Sequence, residues 1–260
     1  MFRRLPPIGG DPRNVAEIVN NMMDGKTNNT GTITLATGNA TSTTLYDARI
    51  SPDTKIVLVP FSSAAFTDTA PYGEFRNDTD QTAPGAGTTA IVSWDVTEES
   101  NGVYLSNTSR INVRNAGTYQ IDYSLQLQNS NNDGEYADVW VKKNGSDIAN
   151  TGRRFFLPAR KSTGDPSHVV GIGLYVFTLA AGDYVEIAGA VSNTSVTLEH
   201  FAADGTVPRP AIPAATIKVQ FIAPLAYSNV YVSAQQNGQA TISHYANSTS
   251  DKTYAYILVG

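Results

Sequence analysis

The sequence predicts an all-β protein built mainly as a two-sheet jelly roll, and three features predict it. First, Tyr119, Ile121, Tyr123, Leu125 and Leu127 alternate with Gln120, Asp122, Ser124, Gln126 and Gln128. A strand sends successive side chains to opposite faces, so this segment is a strand with one dry and one wet face. Second, Asn144-Gly145 follows the segment Ala137–Lys143, which carries Trp140 in its middle. Asn-Gly is the strongest short hairpin signal, because both central residues of a type I′ turn need positive φ. Third, short apolar segments separated by turn residues recur along most of the chain, the spacing of an antiparallel sandwich.

Taken in order, residues 1–30 form an N-terminal unit. Met1–Gly10 reads as an arm, extended at Pro6-Pro7 and loosened at Gly9-Gly10. Asp11 suits a helix N-cap and Pro12 the first helical position; Val15, Ile18, Val19, Met22 and Met23 then recur at helical spacing, with Gly25 as a stop. A helix of about three turns is marginal alone. It needs a surface, and its own sheet, sister chains or a larger assembly could each supply one.

Thr32–Ala36, Thr43–Tyr46 and Lys55–Val59 read as strands, with a turn at Ser51-Pro52-Asp53. The uninterrupted apolar run of Lys55–Val59 predicts burial on both faces. Residues 67–87, polar between prolines and glycines, read as a crossing into a second domain. Strands are then expected at Ala90–Trp94, Val103–Leu105, Ile111–Val113, the two segments above, Val169–Leu179, Tyr184–Ala190, Val196–Phe201 and Thr216–Ile222. Gly171 and Gly173 inside a strand imply close packing. Val230–Ala234, Gln239–His244 and Tyr254–Val259 end the chain. Three short strands make a thin domain. Residues 31–71 plus 224–260 are therefore read as one split β base module, with 72–223 inserted as a head. Such an insertion requires entry and exit to lie close together, here Tyr72 and Pro224.

The segment from about Thr89 to Phe221 resembles the C1q/TNF-like jelly-roll family. The likeness rests on AGTYQIDYSLQLQ, VWVKKNGSDI, YVFTLAAGDYVEI and ATIKVQFI, and in particular on Lys143-Asn144-Gly145 and Leu179-Ala180-Ala181-Gly182-Asp183. It implies a compact trimeric head. Calcium-binding members use dedicated acidic loops that have no residue-by-residue match here, so calcium is not carried over. Nearly the whole chain also looks like bacteriophage fibre and head-decorating proteins, through Ser109-Arg110-Ile111, Val139-Trp140, Lys143-Asn144-Gly145 and Pro208-Arg209-Pro210-Ala211-Ile212-Pro213. That likeness implies a virion protein, assembled in the host cytoplasm and exposed on the particle surface.

Composition bounds the function. Net charge is −5 and only 16% of residues are charged, which argues against nucleic-acid binding. With no cysteine, disulfide and thiolate chemistry are excluded. No apolar run approaches the roughly 20 residues of a membrane span, and no apolar segment follows Arg3 and Arg4 as a secretory signal would require. His168, His200 and His244 lack metal-ligand spacing. Asp78 with Asp80, and Asp133 with Glu135, read as solvated loops, and Glu186 and Glu199 as isolated strand residues. With no nucleophile–base or paired-carboxylate signal, catalysis on surface polysaccharide is not expected, nor is any cofactor or metal.

The expected function is that of a non-enzymatic homotrimeric tail fibre or spike with a head for host-surface attachment. The alternative is a head fibre, capsid decoration or tail adaptor without a receptor-binding role. Docking on other virion proteins is assigned to Arg3, Arg4, Leu5, Pro6, Pro7, Ile8, Val15, Ile18, Val19 and Met22. A host receptor or glycan would meet the loops 129–135 and 152–166, through Asn131, Asp133, Tyr136 and a basic cluster of Arg153, Arg154, Arg160 and Lys161. Of the strand aromatics Tyr119, Tyr123, Tyr175, Phe177 and Tyr184, one stripe is expected in the core and a second, facing outward, at the three-fold contact.

Overall fold

The computed structural model describes residues 11–23, 29–66, 70–206, 208–223, 230–248 and 251–259. The arm (Arg3, Arg4, Leu5, Pro6, Pro7 and Ile8), Gly25 and Pro224 lie outside them. Helix α1 (Pro12–Met23) opens on the expected cap, with the Arg13 amide donating to Asp11 Oδ1 at 2.9 Å. There follow β1 (Thr30–Thr34), β2 (Ala40–Tyr46), β3 (Lys55–Pro60) and the short helix α2 (Ser63–Phe66). The middle of the chain forms β4 (Tyr72–Asn77), β5 (Gln81–Thr82), β6 (Ala90–Ile91), β7 (Val96–Asn101), β8 (Val103–Ser106), β9 (Arg110–Val113) and β10 (Gly117–Asn129). It continues with β11 (Glu135–Lys143), β12 (Ser146–Asp147), β13 (Arg153–Leu157), β14 (Ser167–Leu179), β15 (Tyr184–Val191), β16 (Val196–Leu198) and β17 (Ala215–Ala223). The last strands are β18 (Val230–Gln236), β19 (Gln239–Asn247) and β20 (Thr253–Val259).

The fold is an all-β jelly-roll sandwich with two small sheets beside it. In the first large sheet β10 is the spine: it pairs with β14 along its whole length, and with β17 and β16 on its other edge. β17 continues to β4 and β7, and β16 to β5. The second large sheet runs β12-β11-β15-β9-β8, with β13 also on β11 and β6 on β15. Alternation in β10 is complete, with every odd residue from Gly117 to Asn129 buried. Its Tyr119, Ile121, Tyr123 and Leu125 meet Val139, Val141, Val185 and Ile187 of the facing sheet in one core. Asn144 and Gly145 adopt φ of 50° and 79°, as a type I′ turn demands. A Cβ on Gly173 would sit 2.3 Å from the Tyr123 ring, so that glycine is there for close approach.

Strands lie where the sequence pattern showed none, β4, β5, β7 and β13 among them, and β13 falls inside the expected loop 152–166. β4 falls inside the supposed crossing at 67–87 and is a central strand between β17 and β7. Its inner positions are Gly73, Phe75 and Asn77, so only one of three is a large apolar residue and no period-two signal arises. β7, VTEESN, is almost wholly polar and exposed because it is an edge strand.

The small sheets are shared between the two ends of the chain. β20 lies between β1 and β3, and β19 lies between β18 and β2. Ile33, Leu35, Leu45, Ile242, Tyr254, Tyr256 and Leu258 form their common core. The expected two-sided burial of β3 is corrected here. As an edge strand β3 packs Ile56 and Leu58 inward, while Val57 and Val59 are 47% and 45% exposed. The small sheets and the sandwich meet at Asn115, whose Oδ1 accepts from the Ala246 amide at 3.2 Å. Phe221 bridges them too, edge-on to Tyr119 of β10 at 5.2 Å and to Tyr245 of β19 at 5.4 Å. At the entry point Pro71 O accepts from the Phe221 amide at 2.9 Å.

Candidate functional site

One end of the sandwich is a knot of loops built on Asn129, the last residue of β10. It is fully buried. Its Nδ2 donates to Asp133 O and Pro158 O, both at 2.9 Å, while its Oδ1 accepts from the Asn131 amide at 2.8 Å and Ser195 Oγ at 3.3 Å. Three loops are thereby tied to one side chain. Asn131 Nδ2 donates to Glu135 Oε1 at 2.7 Å, and Arg160 donates from Nε to Asn132 Oδ1 at 2.9 Å and from its amide to Asn131 O at 2.8 Å. Asn131, Asp133 and Arg160 are thus brought together. The expected loop 152–166 begins instead with strand β13 over Arg153–Leu157, and no local signal pointed to Asn129 as the organiser, since its contacts span up to 66 residues along the chain.

The four basic residues do not form one cluster. Arg153 and Arg154 stand on β13, whereas Arg160 and Lys161 lie in the loop after it. Arg154 makes a bidentate pair with Asp138, both bonds 2.7 Å, and lies over the Tyr136 ring at 4.0 Å. Arg153 lies over Tyr175 at 5.4 Å, and Lys161 is 3.5 Å from Asp165. The charges of Arg154 and Lys161 are answered by carboxylates within the same surface. The arrangement offers preorganised polar groups and one aromatic–guanidinium stack rather than a cationic patch.

At the opposite turns, Lys143, Asn144 and Asp183 hold one another. Lys143 Nζ lies 2.7 Å from Asp183 Oδ2, Asn144 Nδ2 donates to Asp183 Oδ1 at 2.7 Å, and the Ala180 amide donates to Asp183 Oδ2 at 2.7 Å. These donors hold the Asp183 carboxyl down at about 2. Beside the small sheets, Arg49 and Tyr256 do the same for Asp47, well below the usual carboxylate range.

Glu186 and Glu199 are not isolated. Glu186 is buried and accepts from Ser109 Oγ at 3.0 Å, with Arg110 at 3.5 Å. Glu199 Oε2 is 2.6 Å from His168 Nε2, packed near Phe201. His244 is buried between Thr43 and Tyr245 O, a structural role. Among the described residues no group of three or more His, Asp or Glu could hold a metal ion. A cavity of about 80 Å³ opens between the sheets, lined mainly by Leu125, Leu127, Ala137, Val139, Val191 and Val196. It is apolar, and its one titratable lining residue, Asp138, is already paired with Arg154.

The outward face of the sandwich holds the least expected feature. On β14, Val170, Ile172, Leu174 and Val176 are 49%, 62%, 56% and 55% exposed. They form one aliphatic column, beside the polar column Gln126, Ser124, Asp122 and Gln120 of β10. The aromatics are elsewhere: Tyr119 and Tyr123 are buried, Tyr175 stacks on Tyr123 at 6.2 Å and on Phe177 at 5.8 Å, and Tyr184 lies under Arg110 at 4.6 Å. The outward stripe is therefore aliphatic, not aromatic. Its signal was present in the sequence as even-numbered apolar residues beside the odd-numbered ones. On α1, Val15 and Val19 are 38% and 46% exposed, with Ile18 half-buried; Met22 lies in the last turn. A comparison with protein-family models finds none that matches the chain, and a comparison with curated proteins finds no match.

Proposed function

We propose that this chain is a non-enzymatic structural protein of a bacteriophage particle that assembles as a homotrimer. Its N-terminal segment attaches it to other virion proteins, and its jelly-roll head is exposed for contact with the host surface. The observation that carries the self-association is the aliphatic column on β14. An edge strand of 13 residues with an apolar outer face is a liability if left bare. A strand apolar on both faces normally has both faces covered. Copies of the same chain are the cover that a closed cyclic assembly provides. The phage assignment rests on the sequence resemblance. Attachment would come from shallow polar contacts at the Asn131–Arg160 loop end, strengthened by three-fold presentation.

The internal pairing of Arg154 and Lys161 favours a second reading, a decoration or adaptor protein without receptor. Particles carrying Arg160→Ala and Asn132→Ala separate the two. Reduced adsorption to host cells with normal particle assembly supports host attachment, and unchanged adsorption supports the decoration role.

A further inference from the structure

Beside the Asn129 loops, the outer face of the second large sheet carries aromatic rings and one ion pair in alternation. Along β11 the outward residues are Tyr136, Asp138 and Trp140, since Ala137, Val139 and Val141 are buried in the core. Across the ladder Phe156 of β13 stands opposite Tyr136, and Arg154 opposite Asp138. On the other side of β11, Asp138 and Trp140 stand opposite Ala190 and Ala188. Those small residues leave a shallow floor beside the rings and the ion pair. The order along the sheet is ring, ion pair, ring, over about 13 Å from Tyr136 to Trp140. We propose that this face binds a neutral oligosaccharide, with Phe156 as the stacking ring and the Arg154–Asp138 pair as the group that holds hydroxyls. This rests on the host-attachment reading above and names a ligand class for it.

The groups are held in place before any ligand arrives. Phe156 is 64% exposed, and it lies against Gly134, where a Cβ would sit 2.6 Å from its ring. Arg154 is fixed twice, by two 2.7 Å bonds to Asp138 and by the Tyr136 ring 4.0 Å away. The Trp140 indole donates to Asp147 Oδ1 at 2.7 Å, which sets the plane of that ring. A sugar ring has an apolar C–H face and a rim of hydroxyls that both donate and accept. An aromatic ring suits the first. The second needs a donor and an acceptor side by side. Asp138 engages only Nε and Nη2 of Arg154, and no other described residue accepts from Nη1; each Asp138 oxygen keeps a further lone pair. The two charges cancel, so the pair does not select an acidic partner. The ion pair also keeps Phe156 and Tyr136 apart from Trp140, so the rings do not merge into the contiguous apolar patch of a protein interface. The face belongs to the sheet opposite β14, and self-association through β14 leaves it open.

The test is binding of the full-length protein to host cells, measured on untreated cells, on cells treated with periodate, which cleaves the vicinal diols of sugars, and on cells treated with protease. Binding should be lost after periodate and kept after protease. Phe156→Ala should weaken it by about tenfold, the loss of one stacked ring. Arg154→Lys keeps the charge but loses the planar fork, and should weaken it by a similar factor. Both side chains are exposed, so the thermal midpoint of each variant should be nearly unchanged. Binding lost only after protease overturns the saccharide and leaves host attachment standing. Periodate-sensitive binding that both variants retain in full overturns this site. No binding of the unmodified protein to host cells overturns host attachment and the saccharide together.

Discussion

Lys143 Nζ lies 2.7 Å from Asp183 Oδ2, and through that pair two turns at one end of the sandwich are held together. Asn144 completes the clamp by donating to Asp183 and accepting from the Tyr184 amide at 2.9 Å. Both turns have a backbone reason to be where they are, since Asn144, Gly145 and Gly182 all have positive φ. The carboxylate then locks one turn to the other. Replacing Asp183 by Ala removes three donors' partner at a site that is only 14% exposed. A loss of about 1–2 kcal/mol is expected, read as a lowered midpoint in urea.

The same carboxylates set the acid limit of the fold. Their partners hold Asp183 down at about 2 and Asp47 well below the usual carboxylate range, against about 3.9 in an unfolded chain. A depressed folded value means that the stabilisation is fully present above pH 4 and is lost as pH falls toward 2. Thermal unfolding from pH 7 to pH 2 should show a falling midpoint that starts near pH 4. Asp183→Asn should flatten part of that fall. A midpoint that declines equally in the variant would show that Asp183 is not part of the acid response.

Asn129 organises the loop end, so Asn129→Ala should be costly. It leaves Asp133 O and Pro158 O without their donor and the Asn131 amide without its acceptor. A loss of about 2–4 kcal/mol is expected for these buried groups. Hydrogen exchange should rise in residues 130–135 and 158–166 more than in β10. Uniform deprotection would show instead that the loops carry no separate cooperativity.

Gly173→Ala should destabilise by about 1–3 kcal/mol, because its Cβ would meet the Tyr123 ring at 2.3 Å. Tyr123→Ala also destabilises by leaving a cavity. The double variant should be less damaged than the sum, since the added methyl fills space that the ring vacates. Strict additivity, measured by a double-mutant cycle in urea, would contradict the contact.

Much of this fold was legible, and the gaps have physical causes. β10 and the Asn144-Gly145 hairpin could be read because period-two burial and positive-φ turns are local properties. β4 could not, because Gly73 and Asn77 occupy inner positions for reasons that no apolar alternation encodes: a Cβ on the glycine would meet Phe75 and the distant Val103, and the asparagine bonds Thr79 and the distant Ser93. β3 misled because an unbroken apolar run does not say whether the second face is covered by the same chain. β14 posed the same ambiguity, and its aromatics drew attention from Val170, Ile172, Leu174 and Val176. The loop end was located by composition, but its organiser works through contacts to Pro158 and Ser195 that no local pattern encodes.

The proposed self-association depends on the outer face of β14, and the solution mass of the protein tests it most directly. Sedimentation equilibrium at micromolar concentration should give three times the chain mass. Leu174→Lys should give the mass of one chain with a nearly unchanged thermal midpoint for the head, since the side chain is 56% exposed within the single chain. A native protein that sediments as a monomer, or a Leu174→Lys variant that remains trimeric, would contradict it.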